Sequence, residues 1–191
     1  VAQSNLANYD QALVSYKQAL DNSQKASTPK LTATILNNLG LLYKKLSLYD
    51  KAIDYYEQSL AMKEEVSSPS DIATTTNNLG QLYWDKGNKE EADNYYYKAL
   101  KLREQVGNPY DIASSLNSML RLTIDQRNFK QATTYANRLK AMGDSTDSYD
   151  MLQKASIYLG RIDRAQNRDK EALKHFNKAY SYGQYLSSRR Q

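Results

Sequence analysis

A chain of 191 residues, 40% hydrophobic and 25% charged, fits one domain or a short repeat array of ordinary folded composition. It holds no cysteine, which excludes disulfides, thiolate metal sites and cysteine nucleophiles, and no run of about 18 apolar residues, which excludes a membrane-spanning helix within this stretch. The net charge of +5 sits in the last segment: residues 1–80 carry 7 basic and 8 acidic side chains, residues 81–150 carry 10 and 10, and residues 151–191 carry 9 and 3.

With three prolines and seven glycines, the chain favours long helices over many turns. Its start reads as the middle of a helix, since Val1 stands at the register of Leu41, and the polar break at Asn8 predicts a new helix there. Thr28, Ser68, Asn108 and Ser148 are good N-cap residues, and Pro29, Pro69 and Pro109 follow the first three. A cap oxygen accepts from an orphan N–H of the first turn and proline suits the first helical position, so helices are expected to start near 29, 69, 109 and 149. Ser68 with Asp71 resembles a capping box that uses aspartate in place of glutamate. Between these starts, Gly87-Asn88 and Asn128 mark second helices. Ser188 stands where a further cap is expected.

These marks recur every 40 residues, and so does the apolar pattern. Ala12, Ala52, Ala92, Ala132 and Ala172 are all alanine. Tyr16, Tyr56, Tyr96, Ala136 and Phe176 are aromatic in four of five, and Ala19, Ser59, Ala99, Leu139 and Ala179 follow three residues later. Leu39, Leu79, Met119 and Leu159 each precede Gly40, Gly80, Leu120 and Gly160. In the first helix of a repeat, Leu36, Leu39, Gly40 and Tyr43 share one face; in the second, Ala52, Tyr56, Ser59 and Leu60 do. Small residues let the two helices approach, large ones fill the gap, and stacking of neighbouring pairs makes the core. Leu120, Thr123 and Ala136 break the pattern, which predicts altered helix spacing in that unit, and Asp163 stands where Tyr43 and Tyr83 do. Tyr95, Tyr96 and Tyr97 cannot share one face, so at least one is expected to be exposed; exposed tyrosines on second helices would suit self-association.

The pattern L-G-x-x-Y, then alanine, an aromatic four residues on and a small residue three later, resembles the tetratricopeptide repeat, whose usual length is about 34 residues. The 40-residue form is similar to the repeats of kinesin light chains and of bacterial sensor kinases and regulators with repeat-built sensing regions. The resemblance implies an all-α fold, a right-handed superhelical solenoid of antiparallel helix pairs. One array would cover 1–191, with a partial repeat at 1–27, repeats at 28–67, 68–107, 108–147 and 148–187, and a cut at 188. It also implies a fragment of a longer signalling protein, with an extracytoplasmic sensing region of a membrane-anchored bacterial protein as the expected setting and the cytoplasm as the alternative. Any membrane contact would come through other parts of that parent chain.

In such arrays the first helix of each pair lines a concave groove where extended peptides bind. At about 100° per residue, Thr34, Asn37, Leu41 and Lys44 form a stripe roughly 120–130° from the buried one. Its equivalents are Thr74, Asn77, Gln81 and Trp84; Ser114, Asn117, Arg121 and Ile124; and Lys154, Ile157, Arg161 and Arg164. Asn37, Asn77 and Asn117 would form a ladder whose amides pair with a peptide backbone, or else bond neighbouring helices. Asn38 and Asn78 sit nearer the groove edge. Trp84 would anchor a partner or pack on a helix. Arg121, Arg161 and Arg164 would suit an acidic peptide or a terminal carboxylate, against which Asp85 and Asp125 count. Nucleic-acid binding at the basic end ranks below this, since that stripe has no aromatic platform for bases.

No catalytic residue, cofactor or metal ligand is assigned. His175 is the one histidine and falls on a helix-surface or inter-repeat position. No phosphate-binding or dinucleotide glycine motif occurs, and Glu64-Glu65 and Glu90-Glu91 are sequence neighbours that a helix turns away from each other.

Overall fold

Cap residues and left-handed turns divide the chain into helices. The computed structural model describes residues 2–189, with side chains from residue 9 onward. Among the described residues there are nine α-helices and no strand: α1 (Ala2–Lys25), α2 (Pro29–Lys45), α3 (Tyr49–Val66), α4 (Pro69–Asp85), α5 (Lys89–Val106), α6 (Pro109–Asp125), α7 (Phe129–Ser145), α8 (Tyr149–Ala165) and α9 (Asp169–Ser188). The expected starts at 29, 69, 109 and 149 are met. Ser68 Oγ accepts from the Asp71 N–H and donates its own proton to the Asp71 carboxylate at 2.9 Å, a side-chain cap in which the aspartate meets the serine hydroxyl. Asn108, Asn128 and Ser148 also cap with their side chains. Most helices end on a residue of positive φ: Ser27, Ser47, Gly87, Gly107, Arg127, Asp147 and Asn167, the commonest way to satisfy the last carbonyls of a helix.

Three expectations at the helix ends fail. The break at Asn8 is absent, and α1 runs through it without interruption. At the register where Ser47, Gly87, Arg127 and Asn167 turn left-handed stands Ala7, a strong helix former with no polar side chain to support a turn. Thr28 makes no side-chain cap to α2; its hydroxyl turns back and donates to the Ser23 carbonyl at 3.0 Å. Ser188 is not placed as a helix cap: it is the last residue of α9, and its hydroxyl donates to the Tyr185 carbonyl.

The helices group into two compact units, α1–α5 up to Val106 and α6–α9 from Gly107 onward. Each is an all-α solenoid segment of antiparallel helix pairs. In the first unit the core gathers Leu39, Tyr43, Ala52, Tyr56, Leu79 and Leu82. Gly40 permits it: a Cβ there would lie 2.7 Å from Tyr56 Cδ1, and one at Gly80 would lie 2.6 Å from Tyr96 Cδ1. The aromatic of the second helix thus lies flat on the backbone of the first. Tyr43 stacks on Tyr55 and Tyr83 on Tyr95, with ring centroids 5.1 and 5.3 Å apart. Of the tyrosine triplet, Tyr96 is buried and Tyr97 is 52% exposed. The Tyr56 hydroxyl is buried without a partner, and burial, reinforced by the Asp85 carboxylate, pushes its pKa up.

The two helix pairs of this unit are joined by a buried relay. Lys63 Nζ, on α3, donates to Thr75 Oγ1 of α4 at 2.9 Å and to the Asp71 carbonyl at 3.3 Å. Thr75 Oγ1 donates in turn to Asn37 Oδ1 of α2 at 3.1 Å, and Asn78 Nδ2 donates to the same oxygen at 3.1 Å. Burial lowers the Lys63 pKa, and the Asp71 carboxylate only partly offsets it.

In the second unit Phe176 lies on Gly160 as Tyr56 lies on Gly40. The pair α6–α7 reverses the sizes: Leu120 takes the glycine register and Ala136 the aromatic one, and both are fully buried. The backbones of α6 and α7 run together less closely than those of the glycine-bearing pairs, which is the altered spacing the sequence predicts. Gly143 accepts Leu152 of α8, whose Cγ would lie 2.9 Å from an added Cβ. Where the first unit stacks Tyr43 on Tyr55, the last pair sets Asp163 against His175, with Nε2 3.5 Å from Oδ2. Arg168 closes this cluster, 2.6 Å from the buried Asp163 carboxylate. His175 thus stands at the edge of this cluster, partly exposed.

Urea denaturation tests this packing. Gly40→Ala is expected to lower stability by about 1–3 kcal/mol, because the ring beside it cannot give way. Tyr56→Phe removes only the unpartnered hydroxyl and is expected to be neutral or to stabilise by about 1 kcal/mol, whereas Tyr56→Ala costs about 3–5 kcal/mol. The buried lysine gives a pH signature. Folding weakens proton binding at Lys63, and stability rises with pH wherever the unfolded chain binds more protons. Wild-type stability is therefore expected to rise relative to Lys63→Met as pH climbs from the lowered Lys63 value toward the ordinary 10.5, and the difference to be flat below that window. Parallel pH profiles for the two proteins would refute the assignment of this lysine as a buried cation.

Candidate functional site

Contacts between helices define the inner side of each unit. The backbones of neighbouring first helices come close, α2 to α4 and α6 to α8, whereas those of the second helices α3 and α5, or α7 and α9, stay further apart, with Lys98 of α5 reaching Glu64 of α3 at 3.1 Å. The stripe expected to carry function lies on these first helices.

In the first unit Thr34 and Thr74 are exposed, their hydroxyls donating back to the carbonyls of Lys30 and Ser70. Asn37 and Asn77 are half-buried. The Asn37 oxygen is occupied by Thr75 and Asn78, so this amide joins helices, while its nitrogen reaches the Asn38 oxygen at 3.5 Å. A turn further on, Lys44 Nζ lies 3.0 Å from the Asp85 carboxylate, and Gln81 Nε2 donates to the same group at 2.8 Å. Lys44, Gln81 and Asp85 thus form one cluster across α2 and α4, in which the lysine charge is balanced. Trp84 is half-buried in the last turn of α4, and Leu41 is 39% exposed.

The second unit is more open and more basic. Ser114, Arg121, Arg161 and Arg164 are exposed, Asn117 and Ile124 are half-buried, and Ile157 is 37% exposed. Lys154 pairs with Asp150 on its own helix at 2.7 Å. Tyr158, buried, donates to the Asn117 main-chain carbonyl at 3.4 Å. Burial raises the Tyr158 pKa, and the positive charges of Arg121 and Arg161 oppose the rise. A cleft of about 130 Å³ opens between α6 and α8, lined by Tyr110, Ala113, Ser114, Asn117, Met151 and Lys154 among others.

Within each unit, then, the structure brings Asn37 against α4, Lys44 and Gln81 onto Asp85, and Tyr158 onto the Asn117 main chain. It does not bring Thr34 or Thr74 to any side chain among the hydrogen bonds described. The sequence pattern misses Lys63, Thr75 and Tyr158. Lys63 has a visible signal, because Arg103 is buried at the same register forty residues later and recurrent cations on a core-facing stripe point to buried donors. Among the described residues no group of three or more His, Cys, Asp or Glu side chains is placed to hold a metal ion, and no helix is long and apolar enough to cross a membrane.

Comparison with known proteins agrees with this architecture. BtubC (BKLC) from P. vanneervenii superposes with a TM-score of 0.84 at 22% identity, over 97% of this chain and 77% of that one. A Podosopora anserina kinesin-light-chain protein of nearly identical TPR-like repeats gives 0.78 at 13% identity, over 95% and 90%. A signal-transduction ATPase with a tetratricopeptide repeat sensor, from Pyrococcus horikoshii, gives 0.76 at 21% identity, over 94% of this chain and 29% of that one. At these identities the likeness is one of fold. No curated protein sequence matches the chain. The tetratricopeptide repeat family profile matches residues 2–65 and 71–145, and with the repeated helix pairs just described this establishes that the chain belongs to the tetratricopeptide repeat family.

Proposed function

We propose that this protein is a non-catalytic module that binds a peptide or protein segment along its first helices, as the sensing or docking region of a larger signalling protein such as a bacterial sensor histidine kinase or a transcriptional regulator. The observation that carries this reading is the position of the polar stripe. It falls on the helices that touch along the inner side of each unit, where α2 meets α4 and α6 meets α8, and it keeps exposed hydroxyls, half-buried amides and exposed arginines there. A chain laid along such a stripe meets donors and acceptors at regular spacing. The contact set is Thr34, Asn37, Lys44, Thr74, Asn77, Gln81 and Trp84 in the first unit, and Ser114, Asn117, Arg121, Arg161 and Arg164 in the second. The repeat sensor of the Pyrococcus horikoshii ATPase supports the signalling role. The 40-residue periodicity supports treating 28–67, 68–107, 108–147 and 148–187 as equivalent units of one array.

Trp84, the one tryptophan, supplies the test. Its fluorescence is expected to change when a pooled peptide library is titrated, and the change to weaken several-fold in Asn77→Ala. Silence with peptides together with a response to single-stranded RNA that collapses between about 50 and 200 mM salt would transfer the function to the basic end of the chain. Silence with both would leave a scaffold that meets folded surfaces or copies of itself.

A further inference from the structure

The outer charges of the second helices reverse sign between the two units. At one register stand Asp10, Asp50 and Glu90 in α1, α3 and α5, then Lys130 and Lys170 in α7 and α9, and all five are exposed. The inversion is fullest between α3 and α9. Helix α3 carries Asp50, Lys51 and Asp54 where α9 carries Lys170, Glu171 and Lys174, so each of these exposed charges has its opposite at the same helical position. The lysine row on α9 has a local cost. Three other lysines pair with an acid four residues away, Lys25 with Asp21, Lys140 with Asp144 and Lys154 with Asp150, at 2.6, 2.6 and 2.7 Å. Lys170, Lys174 and Lys178 are instead four residues from one another, a spacing at which like charges destabilise a helix. The one ion pair on α9 among the described residues belongs to His175, so none of these lysines is neutralised. On α3, Asp54 is likewise outside any ion pair, and Asp50, which holds Lys86 at 2.6 Å, keeps its side chain 91% exposed.

The mixed signs select the partner. A uniform polyanion, whether a lipid surface or a nucleic acid, meets repulsion from Glu171 within the row. Base stacking is disfavoured as well, because Tyr185 already stacks on Tyr149 at 4.0 Å between centroids and carries Arg189 at 4.9 Å, and Tyr182 carries Lys178 at 5.9 Å. The pattern Lys-Glu-x-x-Lys is matched by Asp-Lys-x-x-Asp, which this chain itself presents on α3. Geometry adds a direction. Residues four apart lie about 6 Å apart along a helix and neighbours lie about 100° apart around it, so Lys51 and Glu171 flank their rows on the same side. Two facing helices bring like flanks together only when they run antiparallel. Asp50 then faces Lys174, Asp54 faces Lys170, and Lys51 lies beside Glu171.

We propose that the outer face of α9 docks antiparallel on the outer face of α3 of a second copy of this chain, through these inverted charges. The contact uses the second helices and leaves the first helices free, so it stands apart from the peptide-binding reading. It does not depend on the tyrosines of these helices, of which Tyr55 and Tyr95 are spent in stacks within their own pairs. Exposed ion pairs are individually weak and screened by salt, so the complex is transient and sensitive to ionic strength. Sedimentation equilibrium of the whole chain tests it. Wild type is expected to associate at about 50 mM salt, and its association constant to fall about ten-fold when salt is raised to about 500 mM. Lys170→Glu/Lys174→Glu and Asp50→Lys/Asp54→Lys, each checked for helix content by circular dichroism, are expected to be monomeric alone. An equimolar mixture of the two should associate again, since acids at 170 and 174 then meet bases at 50 and 54. A wild type that is monomeric at low salt, association indifferent to salt, or a mixture that stays monomeric would each overturn the proposal. A wild type that stays monomeric yet binds phosphatidylserine vesicles or single-stranded RNA would do so too, and would assign the lysine row to a polyanion.

Discussion

The distance between two paired helices is set by one contact, an aromatic ring resting on a glycine. Tyr56 on Gly40, Tyr96 on Gly80 and Phe176 on Gly160 hold their helices at a separation that no side chain on the first helix would permit. In α2–α3, α4–α5 and α8–α9 the rest of the packing presupposes that separation. The Tyr43–Tyr55 stack closes one end of the pair, Ser59 reaches the Ala33 carbonyl at 2.6 Å across it, and the faces left over are apolar enough to be buried only against the next pair. Hydrophobic burial drives the stacking, but the glycine decides its geometry.

Polar groups then fix how one pair meets the next. The Lys63–Thr75–Asn37 relay crosses three helices inside an otherwise apolar seam, and every hydrogen bond in it is directional. Such a relay holds the register of α2 against α4 in a way that leucines alone would not. Where the relay is dismantled, in the second unit, the seam is held by Leu152 against Gly143 and by Tyr158 against the Asn117 backbone. The same register thus holds its seam by two different means in one chain.

Much of the fold can be read in the sequence because its signals are local. Thr28-Pro29, Ser68-Pro69 and Asn108-Pro109 mark helix starts within two residues, and the Gly-aromatic pairs recur at one step. Where Ala7 occupies a turn register, the local signal at Asn8 is overruled by helix propensity. The Asp163–His175 pair was less legible, since an acid in place of a tyrosine looks like a defect until the partner twelve residues on is seen to have changed with it. The groove stripe follows from a helical wheel, but the state of each amide on it does not. Whether an asparagine is saturated depends on residues 38 and 41 positions away, such as Thr75 and Asn78 for Asn37, and on rotamers that periodicity does not encode.

The exchange of sizes between α6 and α7 bears on how such a chain can be recombined. A tandem array invites the view that its modules are interchangeable parts. Leu120 and Ala136 contradict it at the level of the single helix: α6 coupled to a second helix bearing a tyrosine would be overfilled, and α7 coupled to a glycine-bearing first helix would leave a hole the size of a ring. The pair is a mating key of its own, so duplication or shuffling of this chain can proceed by whole pairs but not by half-repeats cut at the turn between α6 and α7.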